Sequence, residues 1–200
     1  MRFFSHRRQR GQARRQRGQA LVEFTMIVPI ILTLAMSIAE FGVAFGTNMS
    51  MIEATREGAR VGAILVDGSS SLGCPGYAGS TNVDPQIIAS VQRVVESPGS
   101  GIAKDKIDYI RIYAYSNPGV YNEWRTGGTG LQKICGVYLD FYQFSNAWDA
   151  STRDNTLPVD SIGVSIQYRY QLFTPLSALT GMFGVGQITM VDSTVMAFEP

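Results

Sequence analysis

"FTMIVPIILTLAMSIAEFGVAFG", residues 24–46, decides how the rest of this 200-residue chain is read. At about 1.5 Å per residue this apolar run makes a helix of roughly 35 Å, enough to cross a bilayer. It also separates two regions of opposite charge. The first 18 residues carry seven arginines and no acid, and the other 182 hold ten basic and sixteen acidic residues, so the net charge of +1 conceals a basic head on an acidic body. Arginines ahead of a membrane helix stay on the cytoplasmic side, which sends the bulk of the chain outward. Pro29 predicts a kink that a membrane helix tolerates. Glu40 lies near the far end, within reach of the interface, and Glu23 lies at the very start.

Composition narrows the chemistry of the outward part. The one histidine, His6, falls in the leader, so the exported domain has none for general-base or metal work. Most hydrolase mechanisms drop out, and neither a cofactor nor a catalytic residue is expected. Cys74 and Cys135 both lie in the outward part, where thiols are generally oxidised. Joined, they close a loop of about 60 residues and stabilise the domain by roughly 4 kcal/mol on the chain-entropy model. Two unpaired, partly buried thiols are the alternative.

The N-terminus admits three readings. A cleaved secretory signal has a weak small-x-small site at residues 37–39, but cutting there leaves much of the apolar segment behind. A plain uncleaved anchor explains the charge step and the length. It leaves unexplained Glu23, a carboxylate at the membrane entry that is costly without a partner. The third reading starts from a repeat: RRQRGQA occurs twice in succession, at residues 7–13 and 14–20. Five residues after Gly11 stands Gln16, among arginines. Five residues after Gly18 stands Glu23, followed by Phe24 and the apolar helix.

"RGQALVEF", residues 17–24, resembles the processing motif of Flp-type pilins and pseudopilins: a glycine, four residues, Glu, then an aromatic ahead of the helix. "REGARVGA", residues 56–63, is similar to the segment after the membrane helix in TadE-like proteins. The ending "SIGVSIQYRYQLFTPLSAL...STVMAFEP" is similar to their last strands. Residues 66–158 carry no such resemblance. The resemblance implies a prepilin peptidase that cuts between Gly18 and Gln19, leaving a mature chain that begins with the helix. It also implies that Glu23, then the fifth residue, pairs with the new α-amino group of a neighbouring subunit. An interfacial acid snorkelling toward water is the alternative for Glu23. Phe24 departs mildly from the Tyr that many members have. The implied partners are the peptidase, other pilins and pseudopilins, pilus assembly platform proteins and the membrane.

Beyond the apolar run no proline or strong turn signal occurs from Thr47 to about Leu65, so the helix continues outside the membrane as a stalk. Gly42, Gly46, Ser50, Ala54, Gly58 and Gly62 recur every four residues along it. Small residues at that spacing let helices approach closely. The row drifts about 40° per step on a helix of 3.6 residues per turn, which suits contact with several neighbours rather than one straight interface. For Gly42 and Gly46 ordinary small-residue content is an equal account. Glu53 with Arg56 and Glu57 with Arg60 form opposite pairs three apart, each worth a few tenths of a kcal/mol on a solvated face.

The Gly-, Ser- and Pro-rich residues 67–83 read as a loop, and residues 84–200 as an exported head. Asp84 as N-cap and Pro85 at the first helical position open an amphipathic helix through Ile87, Ile88, Val91, Val94 and Val95, and "SPGSG" ends it. "KIDYIRIYAYS" and "IGVSIQYRYQL" alternate in period two. Ile110, Ile112 and Ala114 share one face of the first; Ile162, Val164, Ile166, Tyr168, Tyr170 and Leu172 share one face of the second. "QITMVDSTVMAFE" makes a third strand. One apolar face per strand predicts an antiparallel sheet packed on one side by the short helix or the stalk. The fold class is α+β, a long membrane and stalk helix followed by a small antiparallel-sheet head. In the middle, Tyr138, Phe141, Tyr142, Phe144 and Trp148 crowd together and read mainly as core, with a sugar- or partner-binding surface as the alternative. "GGTG" lacks the Lys-Ser/Thr and the context of a phosphate loop.

Three functions compete. The first is a TadE-like minor pseudopilin of the Flp (tight adherence) pilus system, held in the cytoplasmic membrane. The second is an uncleaved anchor presenting its head to a cell-envelope or surface partner. An enzyme is third, with no nucleophile and base in view. Nucleic-acid binding is not expected, since topology and anionic lipid account for the arginines.

Overall fold

The structure is a computed structural model that describes residues 7–70, 72–154, 160–173 and 187–198, with residues 7–17 as backbone only. His6 and the resemblance at residues 174–186 and 199–200 lie outside the described residues.

One helix, α1 (Arg7–Leu65), takes in the arginine leader, the apolar run and everything up to the first turn. It begins well ahead of Gly18, so the leader and the membrane segment are one continuous element. The helix continues through Pro29. Hydroxyls inside the apolar run find their acceptors on the previous turn: Thr25 donates to the Leu21 carbonyl at 2.7 Å, Thr33 to that of Pro29 at 2.7 Å and Ser37 to that of Thr33 at 2.8 Å. A hydroxyl satisfied in this way can sit in hydrocarbon without an orphaned donor. At the other end Val66 adopts a left-handed φ of 49° and Gly68 one of 87°. A Cβ at Gly68 would meet the Gly79 backbone at 2.4 Å, so only glycine closes this turn.

Helix α2 (Val83–Val95) follows the loop. Its cap differs from the one the sequence predicts. Asn82 occupies the N-cap position and makes no side-chain cap bond, while Asp84 lies inside the helix and turns inward. The reason is tertiary: Asp84 is claimed by the buried Arg153, whose Nη2 donates at 2.7 Å, and by Asn122, whose Nδ2 donates at 2.5 Å. The helix is amphipathic as expected, but its polar side chains Asp84, Gln86, Ser90 and Gln92 are buried as well. Residues 83–92 are all buried, because α1 and the β-structure enclose it.

Among the described residues the head has seven strands: β1 (Ile107–Ala114), β2 (Asn117–Thr126), β3 (Lys133–Ile134), β4 (Val137–Tyr138), β5 (Phe141–Asn146), β6 (Ser161–Gln171) and β7 (Gln187–Ala197). Five form one antiparallel sheet in the order β5-β2-β1-β6-β7, and β3 and β4 form a separate hairpin. The turn of that hairpin is Cys135-Gly136, both at positive φ, the geometry a two-residue hairpin requires. The fold is therefore the expected α+β arrangement, a long N-terminal helix with an antiparallel-sheet head. Alternation also holds: Ile110, Ile112, Ile162, Val164 and Ile166 are fully buried beneath the helices.

The second half of α1 is part of that core and not a free stalk. Met51, Ala54, Ala59, Ala63 and Leu65 are buried together with Ile87, Val91 and the inner faces of β1 and β6. α1 covers β6 and β7, and α2 lies beside it.

The helix and the head docked on it

The small residues of α1 meet different surroundings along its length. A Cβ at Gly58 would stand 2.6 Å from Val91 and 3.2 Å from Val164. One at Gly62 would stand 2.6 Å from Ile162 and 3.0 Å from Ile87. Ala54 is fully buried. These three positions let α1 approach α2 and β6 of its own chain, so the neighbours they meet are elements of the head. Gly42 and Gly46 border open space. Around them Phe41, Phe45 and Met49, spaced four apart, form an exposed apolar stripe.

Polar contacts fix the docking at both edges. Thr55 donates to Asp192 at 2.5 Å and lies 3.0 Å from the Thr194 hydroxyl, which ties mid-helix to β7. Thr47 sits 3.5 Å from the Gly101 carbonyl. The lowest contact is made by Glu40. Only 6% exposed, its carboxylate accepts a hydrogen bond from the Tyr170 hydroxyl at 2.8 Å and from the Phe173 N–H at 3.1 Å. Burial, then the bond to Glu40, pushes the Tyr170 hydroxyl up to about 12, so it remains a donor across the physiological range. Sequence reading treats Glu40 as an interfacial acid. A carboxylate placed just where an apolar run ends is the signal that it needs a partner, but nothing in the sequence names that partner.

Opposite Glu40 in sequence, the predicted processing residues lie on the uninterrupted helix. Gly18, Gln19, Glu23 and Phe24 are all exposed, and Gln19 Nε2 donates to Glu23 at 3.1 Å across one turn. Among the described residues no head element reaches them, and Leu21, Ile27, Ile31, Leu34 and Ile38 are all exposed. The structure thus brings Ala54, Gly58 and Gly62 to the head and leaves Gly18, Gln19, Glu23, Phe24, Gly42 and Gly46 outward.

Cys74 and Cys135 form a disulfide, Cα to Cα 5.6 Å, which joins the loop after α1 to the β3–β4 turn. Helix α2 supports both sides. Gln86 accepts from the Cys74 N–H at 2.8 Å, and Arg93 donates to the Cys135 carbonyl at 3.1 Å. The aromatic residues of the middle segment split. Phe141 and Trp148 are buried, Trp148 stacked on Phe198 with centroids 6.5 Å apart, whereas Tyr138, Tyr142 and Phe144 are exposed. The outer sheet face carries its own ladder. Arg111 lies over the Tyr109 and Tyr121 rings at 3.9 and 4.3 Å, Arg125 over Phe144 at 3.6 Å, and both arginines bind Glu123. Burial raises the Glu123 carboxyl, but the two guanidinium bonds outweigh it and hold it below its usual range. Rings already covered by guanidinium planes offer little to a sugar.

Among the described residues one helix is long and apolar enough to cross a membrane, and a disulfide-closed α+β head packs along its second half, the arrangement of a head carried on an N-terminal membrane helix. In sequence the chain matches the family described as TadE-like protein over residues 18–60. That span covers the apolar helix and more than half of its docked part, and it bears out the resemblance to TadE-like proteins. The similarity implies a role connected with the Tad pilus and the membrane. No curated protein and no solved structure matches the chain.

Proposed function

We propose that this chain is a TadE-like minor pseudopilin taking part in assembly of a Flp/Tad-type pilus, cut after Gly18 by a prepilin peptidase and held in the cytoplasmic membrane by α1, its N-terminus inside and its head outside. The role is structural and not enzymatic. The carrying observation is that the family match begins at Gly18, the glycine the processing motif marks, with Glu23 and Phe24 exposed at the expected spacing. Surfaces for other pilins and pseudopilins and for assembly platform proteins are the uncovered first half of α1 and the stripe at Phe41, Phe45 and Met49. Freed of the leader, Glu23 pairs with the α-amino group of a neighbour's Gln19, which neutralises a carboxylate otherwise costly in hydrocarbon.

The unbroken helix across Gly18 and Gln19 favours a second reading, an uncleaved single-pass anchor that displays its head to an envelope or surface partner. Intact mass of the protein from membranes with and without its prepilin peptidase separates the two. Processing predicts loss of residues 1–18 and a new Gln19 terminus only where the peptidase is present. A Gly18→Val chain stays full-length and a Gly11→Val chain is still cut. Full-length protein in both strains rejects the pseudopilin reading.

A further inference from the structure

The head's lower end lies where α1 leaves the apolar run. Among the described residues nothing covers 18–39, which span about 33 Å as a helix, close to the roughly 30 Å of bilayer hydrocarbon. The arginine leader bounds this length at one end. Glu40, buried by Tyr170 and Phe173, bounds it at the other. Glu40 and the leader fix both boundaries, because moving the bilayer outward immerses the Glu40 carboxylate with its partners, and moving it inward draws arginines into hydrocarbon. The residue whose N–H binds Glu40 therefore stands at the boundary itself, and Phe173 exposes 60% of its surface there. Across the strand pair Ile188, opposite Tyr170, is exposed at the same end, and Phe41 is 76% exposed on the next helix residue.

We propose that this end of the head, with Phe173 as its anchor, rests in the interfacial layer of the same bilayer that α1 crosses. The head is then seated directly on the lipid by this end and not raised on a stalk. An apolar ring at the headgroup and acyl boundary gains burial without displacing any protein contact. The Glu40 bonds use the Phe173 backbone, which leaves its side chain free to enter the lipid. At the opposite end Tyr115, whose N–H binds the Ser161 carbonyl, is 62% exposed. It stands about 33 Å further out along β6. The inference rests on the reading of α1 as a membrane span.

Spin labels on the full-length protein in liposomes of phosphatidylethanolamine and phosphatidylglycerol test it, at Phe173→Cys, Tyr115→Cys and Ile31→Cys, with the native cysteines left in their disulfide. Oxygen and a water-soluble nickel chelate report depth. The expected result is a ratio of oxygen to nickel accessibility highest at residue 31, several-fold above that of residue 115 at residue 173, and water-like at residue 115. A water-like label at residue 173 with residue 31 still deep overturns the proposal and spares the membrane anchor. A water-like label at residue 31 defeats both. A label at residue 173 shielded from oxygen and nickel alike overturns it in favour of contact with another protein.

Discussion

The two halves of α1 are one helix in two solvents. From Gly18 to Ala39 the chain offers apolar length with nothing of its own to cover it; from Glu40 to Leu65 the same backbone supplies one wall of a packed domain. Leucine, isoleucine and methionine fill the first half, where only hydrophobicity matters. Small residues turned toward the head, Ala54, Gly58 and Gly62, mark the second, where α2 and β6 must approach within van der Waals contact. A helix therefore reveals its partner less by how apolar it is than by where it can be thin.

The largest effect that sharpens this contrast comes from the disulfide. Cys135→Ser removes the tie between the end of α1 and the β3–β4 turn and lowers head stability by about 4 kcal/mol. Guanidinium unfolding in micelles, followed by fluorescence of Trp124 and Trp148, reads this loss, and helicity of the first half of α1 stays unchanged. Gly62→Leu comes next. It forces a side chain into Ile162 and Ile87 and costs about 1–3 kcal/mol, whereas Gly46→Leu, in open space, changes the same midpoint by less than about 0.5 kcal/mol. Equal effects at the two glycines would erase the division between the halves. Glu40→Ala deprives the Tyr170 hydroxyl and the Phe173 N–H of their acceptor and destabilises docking by about 1–3 kcal/mol, visible as faster proteolysis after β6.

The smallest effect is a pH dependence. Because the Tyr170 hydroxyl is raised from about 10 to about 12 on folding, its contribution is complete below pH 10 and is lost as pH rises through about 12. Absorbance titration near 295 nm shows one tyrosine ionising last, and Tyr170→Phe removes that step together with the alkaline loss of stability.

Much of this was legible beforehand. The apolar length of residues 24–46, the period-two alternation of β1 and β6, and the antiparallel α+β class follow from patterns that one element carries within itself. The candidate motif at Gly18 and Glu23 was legible for the same reason, being defined by spacing along one chain segment. Asp84 shows where such reading stops. Beside Pro85 it has the look of a helix cap, yet Arg153, distant in sequence, takes its carboxylate, since a buried guanidinium without a counter-charge costs more than an unmade cap bond. The aromatic run of residues 138–148 divides likewise. Alternation along β5 sends Phe141 inward and Tyr142 outward, but the sequence does not mark which face is the inner one.

By itself the sequence determined that a bilayer-length helix precedes a sheet with one apolar face, because hydrophobic length and periodicity are local properties. Only the tertiary structure decided that, of the two helices the sequence offers as cover, α1 lies over β6 and β7, that Gly58 and Gly62 serve this chain, and that Glu40 is held by Tyr170 and Phe173. Each of those depends on which surfaces meet across more than a hundred residues of chain. Close packing and the satisfaction of buried polar groups select that meeting, and no single segment encodes it.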